Sequence, residues 1–353
     1  MLKKILAGLA IGAAPLLVTF LSCEVFAESL RFAEYSPNRG VRGETLNWLA
    51  DEVKRRSGGA LTLEMHWGEA LLKAEGTLKG LSEGVADMGT VTSVYTPKEM
   101  QLYLLGDMPM ANSDPWVGMR AVYDLVSARP EFKETFDKLG VVYLANFSTG
   151  AVQMACKKPI SNLNDLKGLK VRGTGPYAKT FGELGAAMQR MPQPDVYQAL
   201  DSGLLDCSQN YYYSIRTYRQ YEVAPHLIEM NWGQNLGWGI FMGKASFDKL
   251  GKPQQRLLTD LGRDFTDHFA KAIIDANATD RDAMLKGEKR ATLLLLPEEQ
   301  RKQLIAMGDK RVEEWVEQIN KAGLPGDAIL KDYKALIAKY DAERASKGYP
   351  WKR

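Results

Sequence analysis

"LKGLKVRGTGPYAKTFGELGA", residues 166–186, admits two readings that lead to different folds. A strand-like Leu169-Lys-Val-Arg172 runs into Gly173-Thr-Gly175-Pro176, and a helical pattern follows. In the first reading the glycines form the phosphate-binding turn of a dinucleotide fold. That turn belongs in an opening βαβ unit, with an acidic residue about 20 positions on to hold a ribose. Asp195 stands at a tolerable distance, but the loop lies mid-chain, and Pro192 and Pro194 interrupt the second strand. In the other reading Gly173 and Gly175 turn the chain sharply at a strand end, and Pro176 opens the helix. Arg172 is then the last strand residue. Taken alone it is an ordinary surface ion pair; fixed at the strand end it can grip a carboxylate through two parallel hydrogen bonds.

Bulk properties narrow the choice. The chain has 353 residues, enough for two domains with their own cores, and 45% of them are apolar and 25% charged. Its net charge of +3 comes from Lys and Arg interspersed with Asp and Glu, which leaves no electrostatic footprint for nucleic acid. Lys3 and Lys4 precede an apolar run from Ile5 to Leu21, and Val25-Phe26-Ala27 offers small residues to a signal peptidase. The run is short for a membrane span, so residues 1–27 read as a signal peptide cleaved near Ala27, and the protein as exported to the periplasm. An exported chain meets little nicotinamide cofactor. After cleavage only Cys156 and Cys207 remain, free to pair in an oxidising compartment or to stay as two buried thiols. With three histidines and no HExxH, CxxC or GxSxG, neither a metal cluster nor a nucleophile elbow is expected, and no cofactor.

Strand and helix signals alternate from "SLRFAEY" through "ETLNWLADEVKRRSGG" and "ALTLEMHW", which argues for an α/β domain with a mostly parallel sheet. One unit recurs. "LKGLSEGVADMGTVTSVY" (78–95) and "YQALDSGLLDCSQNYYYS" (197–214) share a helix, a glycine at 84 or 203, an aspartate at 87 or 206, and a short strand. Two such copies fit two similar lobes, each aiming a strand's C-terminal end at a common crevice. Residues 252–286 form an uninterrupted helical pattern of roughly 50 Å, more than one small domain's width, so this helix is expected to span both lobes.

Residues 162–210 resemble the periplasmic solute-binding subunits of TRAP transporters, the DctP-type family. The matching residues are Asp165-Leu-Lys-Gly-Leu-Lys170, Arg172, Leu184-Gly-Ala186, Val196-Tyr197, Ala199-Leu200, Gly203, Asp206 and Asn210, with "LLKAEGTLKGLSEGVADMG" upstream. The likeness extends over the mature chain and is most specific in 162–210. It implies that Arg172 clamps a ligand carboxylate and that Asn210 hydrogen-bonds the ligand. Departures are Asp195 for a usual glutamate, Cys207-Ser208-Gln209 for a common Gly-x-Glu, and Tyr211 for a frequent proline. Val152 stands where sialic-acid-binding members have a second arginine, which argues against tri-anionic ligands.

Together these readings predict an α/β, two-lobed periplasmic binding protein fold with a cleft between the lobes. Lobe I is expected at 28–149 plus 236–277 and lobe II at 150–235 plus 278–353. The expected function is capture of a small organic acid and its delivery to the membrane permease of a TRAP transporter, without catalysis. The alternatives are an exported lyase or isomerase acting on a small carboxylic acid, and a ligand-sensing subunit of a membrane receptor. Beside Arg172 and Asn210, Gln153 is expected to orient polar groups. Tyr35, Thr92, Tyr95, Tyr211, Tyr212 and Trp232 are expected to wall the cleft, although Tyr and Trp serve cores as readily.

Overall fold

The computed structural model describes residues 28–353; the export signal and its cleavage near Ala27 lie outside the described residues. From there β1 (Glu28–Ala33), α1 (Gly40–Arg56), β2 (Leu61–His66), α2 (Thr77–Ser82) and β3 (Met88–Thr92) alternate as the pattern requires. Two helices with proline in the first turn, α3 (Pro115–Ala128) and α4 (Pro130–Lys138), lead to β4 (Val141–Asn146) and β5 (Ala151–Cys156). Next come β6 (Lys170–Arg172), α5 (Gly175–Glu183), β7 (Ala187–Gln189), α6 (Val196–Asp201), β8 (Cys207–Asn210) and α7 (Tyr212–Thr217). The chain continues through β9 (His226–Gln234), β10 (Trp238–Gly243), α8 (Lys244–Lys249) and α9 (Lys252–Lys286). It closes with β11 (Thr292–Leu295), α10 (Glu298–Lys321) and α11 (Gly326–Lys347).

The strands form two sheets, in the orders β2-β1-β3-β10-β4 and β11-β9-β5-β8-β6-β7. Both are mostly parallel, as the alternation of signals predicts: four of five strands in the first sheet and five of six in the second run one way, with a single reversed strand in each. β10 runs antiparallel to β3 and β4, and β5 antiparallel to β8 and β9, because these strands arrive from the other sheet instead of through a helical crossover. The connections β4–β5 and β9–β10 travel side by side between the sheets, tied by Phe147 N donating to Trp238 O at 2.8 Å and Thr149 N to Asn235 O at 3.2 Å. Gly150, with φ of +67°, supplies the left-handed residue that this crossing needs.

The repeated unit is real and has a physical purpose. Gly84 and Gly203 both end their helices with positive φ, 74° and 77°. Asp87 N then donates to Arg31 O at 3.0 Å while Asp87 Oδ2 accepts from Arg31 N at 2.9 Å. Asp206 does the same to Lys170, both contacts at 2.8 Å. Each aspartate clips its strand to the neighbouring parallel strand, so the ends of β3 and β8 are set in equivalent places.

The 35-residue α9, about 52 Å long, packs against α1, α3 and β4 on one side and α7 on the other. Leu258, Leu261, Phe265, Phe269 and Ile273 form its buried face. Phe147, at the crossing, stacks on Trp238 at 4.3 Å and meets Phe265 and Phe269 edge-on at 5.2 and 4.9 Å, which pins the crossing segments to the helix. Helix α11 packs on α3, and α10 on α5 and β9. Cys156 and Cys207, whose state the sequence leaves open, are facing partners across β5 and β8 and form a disulfide.

Candidate ligand-binding site

Between the two sheets lies a cavity of about 60 Å³, walled by residues at the C-terminal ends of β1, β3, β6 and β8 and by the crossing segments. Each aspartate clip aligns the strand ends within its own sheet, and ligands of open α/β sheets sit at such ends. Arg172 reaches it from the end of β6 and is only 3% exposed. Its Nε donates to Met191 O at 3.2 Å, Nη1 to Gln209 O at 3.3 Å and Nη2 to the Tyr95 hydroxyl at 3.4 Å. All three acceptors are neutral, and all three bonds are long for N–H···O. No carboxylate pairs with Arg172 among the described residues. A buried guanidinium so weakly held can offer a two-pronged donor set to an anion.

Tyr95 completes this end of the cavity. Its hydroxyl also accepts from Gln193 N at 3.0 Å, so a residue that follows the first sheet's β3 holds two residues belonging to the second. Tyr35 and Thr92 join through their hydroxyls at 3.0 Å, and the Tyr35 ring meets Tyr95 edge-on at 6.0 Å. Burial raises the Tyr35 hydroxyl to about 12, against the pull of the nearby Arg42 cation. Burial likewise lifts Tyr211 well above the usual phenol range, although Arg172 opposes it. These phenols are therefore neutral and donate or accept hydrogen bonds without adding charge.

A second arginine faces the same cavity. Arg42, in the first turn of α1, is 6% exposed, with Nη2 at 2.5 Å from Glu34 Oε1 and its guanidinium 4.1 Å from the Tyr35 ring centroid and 4.5 Å from that of Trp238. Burial works against its charge, and Glu34 and Tyr35 more than compensate, holding it above the ordinary arginine range. Asp107 is buried in the wall too; it accepts from Ser93 Oγ and, at 3.0 Å, from Gly237 N, and burial lifts it to about 6. No group of three His, Cys, Asp or Glu side chains converges as a metal site among the described residues.

Of the nine residues expected at the site, the structure brings Arg172, Tyr35, Thr92, Tyr95 and Tyr211 to the cavity wall. The other four sit elsewhere. Asn210 Nδ2 donates to Gln220 Oε1 at 2.6 Å while its Oδ1 caps Tyr211 N, so the side chain is spent beneath the strand end. Gln153 fills the irregularity between β5 and β9, where its Oε1 accepts from Met230 N and Asn231 N. Tyr212 packs into a separate buried cluster of the second sheet, with its hydroxyl donating to Glu229 at 2.6 Å. Trp232 lies fully buried against Tyr177 and Phe181. Sequence reasoning missed Arg42, Glu34, Tyr213, Tyr218, Asn235 and Trp238. The sequence pattern predicts this helix from Glu44, which puts Arg42 in a loop, whereas α1 starts at Gly40.

Comparison with known proteins places the chain in a family. Residues 32–318 match the family model DctP, described as bacterial extracellular solute-binding protein, family 7. The C4-dicarboxylate-binding periplasmic protein DctP of Rhodobacter capsulatus is 25% identical over 258 residues, which cover 71% of this chain and 75% of the relative. A marine-metagenome TRAP solute-binding protein specific for aromatic acid ligands, solved with metahydroxyphenylacetate, superposes with a TM-score of 0.80 at 21% identity, over 89% of this chain and 99% of that one. A TRAP solute-binding protein of Rhodoferax ferrireducens, solved with copurified benzoate, gives 0.79 at 22% identity, over 90% and 99%. With most of the chain matched by one family model and the two-lobed fold in place, the chain belongs to bacterial extracellular solute-binding protein family 7, the DctP family.

Proposed function

We propose that this protein captures a small organic acid outside the cytoplasm by closing two lobes on it, then hands it unchanged to a TRAP-type membrane permease. The observation that carries the reading is Arg172, a buried guanidinium with no acidic partner among the described residues, at a cavity between two sheets. Withdrawing a charge from water is costly unless an opposite charge meets it, and a ligand carboxylate does so. The relatives support an acid: one is named for C4-dicarboxylates, and two solved neighbours hold aromatic carboxylates. In this reading lobe I comprises 28–149 plus 236–277 and lobe II 150–235 plus 278–353, except that α11 moves with lobe I, on whose α3 it packs. The proposed contacts are Arg172, Tyr95, Tyr35, Thr92 and Tyr211.

A thermal-shift screen of mono- and dicarboxylates tests this. An acid at a hundred times its Kd adds about 2.7 kcal/mol to stability, which is an upward shift of several degrees. Recovery of that acid with unchanged mass and stereochemistry is expected. Turnover of a bound acid, or no shift with any carboxylate at millimolar concentration, would count decisively against the reading.

A further inference from the structure

Arg172 accounts for one end of the cavity, and the other end is built around Arg42. Glu34, which pairs one edge of the Arg42 guanidinium, is itself fixed: its oxygens also accept from Ser36 N and Thr90 Oγ1, both at 2.7 Å. With the rings of Tyr35 and Trp238 against it as well, Arg42 is held in one place. Its Nε meets no acceptor among the described residues, and neither do the Trp238 indole N–H and the Tyr218 hydroxyl beside it. Asn235 Oδ1, in the same wall, meets no donor. Buried polar groups are almost always satisfied, so this end is made for a small group that accepts more than one hydrogen bond and donates one. A hydroxyl does both. A carbonyl would leave Asn235 unmatched.

Charge separates the hydroxyl from a second carboxylate. Glu34 cancels Arg42, so the cavity has one uncompensated cation, Arg172, and a single carboxylate neutralises it. A second carboxylate at the Arg42 end would lie beside a buried Glu34 with no further cation to meet it. Asp107, once ionised, adds repulsion in the same direction. Size gives the scale: about 60 Å³ admits roughly four to six water-sized groups. Building on the carboxylate reading above, we propose that Arg42, fixed by Glu34, determines specificity: this protein selects a hydroxy monocarboxylate of three or four carbons over the unsubstituted acid and over the dicarboxylate.

Titration calorimetry on the purified exported protein with six acids tests it: propionate, lactate and malonate, then butyrate, 3-hydroxybutyrate and succinate. In at least one set the hydroxy acid is expected to bind at least about tenfold more tightly than both companions, the loss anticipated when a charged donor goes unmatched. The double variant Glu34→Gln/Arg42→Met removes both buried charges together. It should abolish the preference, bringing the affinities for the hydroxy and unsubstituted acids to within a factor of about two of each other. Equal affinities for hydroxy and unsubstituted acids in wild type would mean that water satisfies the Arg42 end, and the proposal fails. Tightest binding of malonate or succinate overturns it as well. If none of the six binds to folded protein at millimolar concentration, the proposal falls; the carboxylate reading falls with it only if the wider thermal-shift screen also finds no acid that binds.

Discussion

Arg172 bears a cost in the free protein that a ligand removes, and this asymmetry makes its role measurable. Arg172→Ala should lose most affinity for a bound carboxylate, since truncating one partner of a desolvated charge pair costs on the order of 2–5 kcal/mol. Arg172→Lys should lose less but still a substantial part, because an ammonium cannot present two parallel donors. Without ligand the Ala variant should melt no lower than wild type, as the guanidinium's three bonds are long and go to neutral acceptors. Calorimetry showing unchanged affinity would remove the clamp. Asp107 makes a second measurable case. Its folded value of about 6 lies above the ordinary 3.8, so the folded state holds the proton more tightly than the unfolded chain. Stability from this group is complete below about pH 4 and is lost as pH rises towards 6, in total roughly 3 kcal/mol. Asp107→Asn should therefore flatten the Tm profile between pH 4 and 6.5, and an unaltered profile would refute the assignment. What the sequence disclosed about the site follows a simple rule. Arg172, Thr92 and Tyr211 were found because strand C-terminal ends could be located. Tyr212 is expected where Tyr213 lines the wall, and Asn210, one residue before Tyr211, turns away from it, since one step along a strand end or a helix start redirects a side chain. Arg42 escaped because its partners, Glu34 and Trp238, are close only in space.

The two clipped units explain why the elements were readable from sequence. Helix, left-handed glycine, aspartate and strand are contiguous, so the device that sets β3 and β8 is written within one short stretch each time. The span of α9 was equally local, a periodic apolar face without an interior proline. Strand direction was not local. β5 and β10 run antiparallel to their neighbours because the chain crosses between sheets, and no pattern within either strand records that. The disulfide belongs to the same class of fact, since only the register of β5 on β8 places Cys156 opposite Cys207. It ties β8, and through it the Asp206 clip, to a crossing strand. Closing a loop with a sequence separation of 51 residues restricts the unfolded chain by about 4 kcal/mol in the chain-entropy account. The double variant Cys156→Ser/Cys207→Ser is expected to lose roughly 2–4 kcal/mol in urea titrations at an unchanged slope. Thiol titration of the denatured, non-reduced protein should find neither of these cysteines free. Two titratable thiols would mean that the strands pair without the bridge.

Taken as a whole, the molecule as described is closed. Tyr95, from the first sheet's side, receives Arg172 Nη2 and Gln193 N on its hydroxyl, while its own carbonyl accepts from Arg190 Nη2 at 3.0 Å. Arg172 is nearly inaccessible in this arrangement, so a ligand must arrive when the lobes are apart. The crossing segments are compatible with this: they are two strands wide, carry a left-handed residue at Gly150, and are anchored on α9 by Phe147 and by Asn277, which donates to Thr149 O at 3.1 Å. Gly237 has no room for a side chain, since a Cβ there would lie 2.4 Å from Asp107 and 2.5 Å from Ser93. A larger hollow of about 390 Å³ adjoins the cavity across Val94 and Thr174, which line both. In the proposed reading, closure is a balance that the ligand tips, because only in the closed state would both lobes touch it. Tyr95→Phe tests the balance without touching Arg172 itself. The ring and its packing remain, while the hydroxyl that receives Gln193 N and Arg172 is gone, leaving a buried N–H unmatched when the lobes meet. The expected result is an affinity lower by about 1–3 kcal/mol, carried mainly by faster dissociation. In solution scattering, wild type with a saturating acid from the thermal-shift screen should show a smaller radius of gyration than the free protein. The variant should need more of that acid to reach the same compact form. Binding without any compaction would leave Arg172 as a clamp but remove the moving lobes, and an affinity unaltered in Tyr95→Phe would remove Tyr95 as the latch between them.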